Sequence, residues 1–94
     1  MAFSYSDKNF TVVGNLCFVH IILDGKEKIY NIPPAISDRM VHDRYVCNYP
    51  YYSADNSGAI PDIGTAIILN NGKIFCSVAG TGYLSFFFPI DSNK

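Results

Sequence analysis

Apolar runs rich in β-branched and aromatic residues, separated by polar turn signals, recur along the chain in the pattern of extended strands. The stretch Asn9-Phe10-Thr11-Val12-Val13-Gly14-Asn15-Leu16-Cys17-Phe18-Val19-His20-Ile21-Ile22-Leu23 is β-branched and aromatic, with Gly14-Asn15 as its only break. It predicts two strands, Phe10 to Val13 and Leu16 to Leu23. Asp24-Gly25 reads as a hairpin signal leading to a short strand, Lys28 to Ile32, which Pro33-Pro34 stops. Met40 to Asn48 is the next extended segment, and Tyr49 to Gly58 reads as a long polar and aromatic loop closed by Pro61-Asp62. Gly64 to Leu69 and Lys73 to Ala79 flank Asn70-Asn71-Gly72 and predict a hairpin with a type I′ turn, whose two central residues both need positive φ. After Gly80-Thr81-Gly82, Tyr83 to Ile90 forms the last strand. Ala35 to Arg39 is too short for a helix of ordinary length. Turns at roughly ten-residue spacing predict an all-β antiparallel sandwich or barrel, with residues 1–94 as one domain.

The long strands carry apolar residues on both faces. Leu16, Phe18, His20 and Ile22 share one face of their strand, and Cys17, Val19, Ile21 and Leu23 the other. In the last strand Leu84, Phe86 and Phe88 alternate with Tyr83, Ser85 and Phe87. A strand in a small antiparallel sandwich ordinarily has one wet face, so both strands are expected to be covered on two sides. Ninety-four residues cannot supply two cores. The second layer is expected to come from identical copies in a closed symmetric oligomer.

Composition agrees with that expectation. Apolar residues make up 49% of the chain and charged ones only 16%, against roughly 25% charged in ordinary globular domains. The formal net charge is −1, and the densest basic stretch, Lys26-Glu27-Lys28, is broken by an acid. This argues against nucleic-acid binding by phosphate neutralisation and against an anionic membrane surface. The longest apolar run, Leu16 to Leu23, falls far short of the roughly 20 residues of a membrane-spanning helix. Met1 to Asp7 lacks the basic and apolar regions of a secretory signal, so folding in a cytosol is expected. Cys17, Cys47 and Cys76 are odd in number, widely spaced and set in apolar surroundings, which is the pattern of small buried hydrophobes.

Little in the chain points to catalysis or metal binding, so no cofactor is expected. His42-Asp43-Arg44 is the most polar cluster, but no nucleophile accompanies it, and a solvated loop or an interface ion pair is the simpler reading. His20 alternates with Leu16, Phe18 and Ile22 and is expected in a core or an interface. Asp38, Asp43, Asp55 and Asp62 do not follow calcium-loop spacing. One segment combines aromatic faces with polar side chains in the manner that sugars require: Tyr49, Tyr51 and Tyr52 beside Asp55 and Asn56. Packing of these tyrosines onto the sandwich is the competing reading.

The order of the motifs resembles the carboxy-terminal, receptor-binding-type domains of tail-fibre and baseplate proteins of bacteriophages infecting Gram-positive bacteria. The elements that carry the resemblance are Phe10-Thr11-Val12-Val13-Gly14-Asn15-Leu16, then Ile32-Pro33-Pro34, then Gly64 to Ile74 around Asn71-Gly72, and the closing Gly82-Tyr83-Leu84-Ser85-Phe86-Phe87-Phe88-Pro89-Ile90. Together they span nearly the whole chain. The resemblance implies a small β-sandwich or jelly-roll-like module that forms a homotrimer at a tail tip, assembled in the host cytoplasm and carried in the virion. Its partners would be host cell-surface polysaccharide and other tail proteins, without enzymatic activity, and the chain would be compatible with a piece of a longer tail protein. The expected saccharide site comprises Tyr49, Tyr51, Tyr52, Asp55, Asn56 and His42. Substitution of Tyr51 or Asp55 is expected to weaken binding without lowering the melting temperature. The implied alternative is a scaffold domain that engages other baseplate proteins.

Overall fold

The computed structural model describes residues 3–53 and 60–94. Among the described residues, seven strands and one helical turn follow in the order β1 (Phe10–Val13), β2 (Leu16–Asp24), β3 (Ile29–Asn31), α1 (Pro34–Ser37), β4 (Arg44–Tyr51), β5 (Asp62–Leu69), β6 (Lys73–Cys76) and β7 (Thr81–Pro89). They form two antiparallel sheets, β1-β2-β7 and β3-β6-β5-β4. The all-β reading of the sequence is correct.

The core lies between the sheets, and strand parity decides who enters it. Cys17, Val19, Ile21 and Leu23 of β2 are buried, as are Leu84 and Phe88 of β7, while every intervening β2 residue is exposed. Ala66, Ile68, Ile74, Cys76 and Tyr49 meet them from the other sheet. Ile32, Ile36 and Met40, from the Pro33-Pro34 turn and α1, close one end of this core. Each such aliphatic side chain contributes about 1.5–3 kcal/mol by leaving water.

Four expectations need correction. Asp24-Gly25 turns the chain but makes no hairpin, because β3 pairs with β6 rather than β2. Asp24 Oδ1 instead accepts from the amides of Lys26 at 2.8 Å and Glu27 at 3.0 Å, an Asx turn that carries the chain from one sheet to the other. The turn between β5 and β6 is not type I′: the loop has three residues, and among them only Gly72 has a positive φ, +92°. Asn70 and Asn71 keep negative φ, which is the pattern of a type I turn followed by a left-handed glycine. β6 ends at Cys76, short of Ala79. Finally, Tyr49, Pro50 and Tyr51 belong to β4 and not to a loop. Pro50 fits because β4 is the outermost strand of its sheet, where a missing ladder donor costs little.

The two sheets also touch directly along one edge. Tyr52 and Thr81 exchange backbone hydrogen bonds of 2.8 and 2.9 Å, and Met40 bridges to Ile90. β4 thereby lies beside β7. The amino-terminal segment is held by Phe3 N–H donating to Ser92 O and by the Arg39 guanidinium stacked 3.8 Å from the centre of the Phe3 ring.

Candidate functional site

The four described residues of the expected saccharide site, His42, Tyr49, Tyr51 and Tyr52, do not form one exposed surface. Tyr49 points into the core at 2% exposure, and its hydroxyl donates to Val78 O at 2.9 Å. Its ring lies over Gly64, its partner on β5, so closely that a Cβ there would stand 2.5 Å from the ring. Burial pushes the Tyr49 phenol above its ordinary pKa. Tyr51 is half-buried, and a Cβ on Gly80 would run into its ring. Both rings therefore spend a face on glycine backbone, and Tyr51 is no neutral surface position, so its removal should lower the melting temperature as well. Tyr52 alone of the three is exposed. His42 is exposed and meets Tyr45 edge-on at 5.7 Å, while Asp43 accepts from the Asn70 side chain at 3.3 Å. Asp55 and Asn56 lie outside the described residues.

Tyr52 borders a cavity of about 320 Å³ with Asp24, Lys26, Ser53 and Thr81, at the edge where the sheets meet. The Asp24 carboxyl is held below the usual carboxylate range by the amides of Glu27 and Lys26 that it accepts, so it is charged at neutral pH. The sequence contains no local signal for this grouping, because Asp24 meets Thr81 through the β2–β7 ladder and Tyr52 joins them only through its bridge to Thr81.

A larger feature covers the outside of the three-stranded sheet. Thr11 and Val13 of β1 stand opposite Phe18 and Leu16, and His20, Ile22, Phe18 and Leu16 of β2 stand opposite Ser85, Tyr83, Phe87 and Pro89 of β7. These ten positions include no Asp, Glu, Lys or Arg. Ile22 is 68% exposed, Phe87 63% and Tyr83 60%. Phe18 and Phe87 pack ring to ring at 5.7 Å, and His20 stacks on Tyr83 at 5.3 Å while its Nδ1 lies 2.8 Å from Ser85 Oγ. The side chains brace one another within the sheet and leave their outer faces to solvent.

The other sheet is different outside. Ile29, Phe75, Ile67 and Val46 form one apolar row across its four strands. That row is flanked by polar ones, in which Thr65 donates to Asn48 at 3.2 Å and Lys73 to Asn31 at 2.7 Å. The outer side of this sheet mixes apolar rows, Pro50 and Ile63 included, with polar ones, whereas the β1-β2-β7 face carries no charge from Leu16 to Ile22 and meets its first carboxylate at Asp24.

Among the described residues no group of three or more His, Cys, Asp or Glu is placed to hold a metal ion, and no helix is long and apolar enough to cross a membrane. Comparison with protein families, with curated proteins and with solved structures finds no match to this chain.

Proposed function

We propose that the protein is a non-enzymatic, self-associating structural module of the bacteriophage tail-tip or baseplate kind, working by contact with identical copies and with other tail proteins. The observation that carries this reading is the uncharged outer face of β1-β2-β7. Six of its side chains, Val13, Leu16, Phe18, Ile22, Tyr83 and Phe87, are 37–68% exposed. At roughly 150–250 Å² for a large side chain, they present on the order of 700 Å². The largest apolar patch of a typical monomer is about 300–600 Å². Covering this face in an assembly would bury about 700 Å² per chain, close to the roughly 800 Å² per partner of a stable interface. The motif order supports a tail protein, and with it a homotrimer and a place in the virion.

Native mass spectrometry at tens of micromolar tests the reading. The wild-type chain is expected to assemble, and Ile22→Lys and Phe87→Glu are expected to be monomeric with unchanged unfolding midpoints. Val46→Lys, on the other sheet, should leave assembly intact. A wild-type chain that stays monomeric overturns the proposal.

A second reading, attachment to host cell-wall saccharide, is favoured by Tyr52 beside the charged Asp24 and Lys26 at the cavity described above. Here Tyr52→Ala should abolish binding to purified wall polysaccharide while the fold is kept. Equal binding by wild type and variant would exclude this cavity as the site.

A further inference from the structure

We infer that the β1-β2-β7 face packs against the same face of other copies with His20 inside the contact, so that acidification dissociates the assembly. The inference rests on the self-association proposed above and adds its regulation. β2 is the middle strand of its sheet, and His20 is the fifth of its nine residues. It stands on the outward side of that strand, between Phe18 and Ile22, opposite Ser85. When copies of the chain cover that face, His20 is covered with it. Imidazole changes charge between about pH 5 and 8. The neutral ring fits an apolar interface, hydrogen-bonded to Ser85 and stacked on Tyr83. The protonated ring would be desolvated when the face is covered, and this opposes burial.

Among the described residues, the groups around His20 offer no free carboxylate to neutralise that charge. From the segment entering β1, Lys8 shares a shallow cleft with His20 and Tyr30 of β3, and Lys8 is itself a cation. Asp7, on the same segment, accepts from the amides of Asn9 and Phe10 and from the Tyr5 hydroxyl. From β7 the facing groups are Ser85 and the phenol of Tyr83. On β2 itself the first carboxylate on this face is Asp24, four residues away and engaged by the Lys26 and Glu27 amides. The sign follows from linkage: the assembled state binds fewer protons than the free chains, so association strengthens as pH rises and weakens as it falls.

Sedimentation velocity of the full chain at about pH 8 and about pH 5 decides the matter, with circular dichroism confirming the fold at both. The wild type is expected to associate at least tenfold more weakly at the lower pH. His20→Gln, which keeps a polar group of similar reach, should associate with little change between the two. His42→Gln, replacing the other histidine of the chain, should retain the wild-type dependence. Association that is equally strong at both pH values, or a His20→Gln chain as pH-sensitive as the wild type, overturns this inference and leaves self-association standing. A wild-type chain monomeric at both pH values overturns self-association itself.

Discussion

The tyrosines at the end of β4 and the aromatics outside β2 and β7 look alike in sequence, and the fold uses them in opposite ways. Tyr49 and Tyr51 each find a glycine beside them, Gly64 and Gly80, and lie down over its backbone. Phe18, Tyr83 and Phe87 have side chains opposite them, Phe87, Ile22 and Phe18, so they stand up from the sheet and remain exposed. Which face of the strand turns inward decides whether a ring is buried, as it does for Phe10 and Phe88, and the neighbouring residue decides how the ring lies. A glycine provides a slot for it, and a second bulky residue provides a brace.

The sharpest way to break this contrast is to remove an absorbed ring. Tyr49→Ala should cost about 3–5 kcal/mol, as for other large-to-small core changes, measured by urea unfolding. If the cost is under about 1 kcal/mol, Tyr49 does not belong to the core. Filling the slot should be somewhat milder. Gly64→Ala is expected to lose about 1–3 kcal/mol, because the new Cβ would press on a ring held from its far end by the bond to Val78. Keeping the ring and deleting that bond, Tyr49→Phe, should cost about 1 kcal/mol. The exposed aromatics should behave in the opposite manner: Tyr83→Ser should change monomer stability by less than about 0.5 kcal/mol while reducing self-association, read by unfolding and sedimentation together.

The inner side of the same sheet supplies a pH test. Burial pushes the Cys17 thiol up to about 11 from an ordinary value of 9.0. The native state then keeps a proton that the unfolded chain releases, so this contribution to stability is complete below about pH 9 and is lost as the pH rises toward 11. Urea midpoints taken across that range should fall more steeply for the wild type than for Cys17→Ala. Equal slopes would mean that the thiol is not closed off from water on the core side.

Much of the fold was legible in the pattern of residues, and the reasons are local. β1 and the start of β2 follow from two β-branched runs around Gly14-Asn15, and the division of β2 and β7 into alternating faces follows from strand geometry. Asp24-Gly25 misled because a turn signal reports that the chain bends and not which strand it will pair with. Tyr49 to Tyr51 misled because Pro50 reads as a breaker until the strand is known to lie at an edge. The cavity at Tyr52 was illegible, since nothing in residues 24, 52 and 81 announces that they will meet.

Alternation by itself determined that β2 and β7 have two apolar faces, because side chains on a strand must point to opposite sides whatever the fold. It could not say which face is core. Both sets, Cys17 to Leu23 and Leu16 to Ile22, were apolar enough to be buried. Only the packing of the second sheet decided, by covering the Cys17 side and leaving the side that carries His20 to solvent. A sandwich of this size has one interior, and the face left over is set by tertiary contact rather than by any property of the strand.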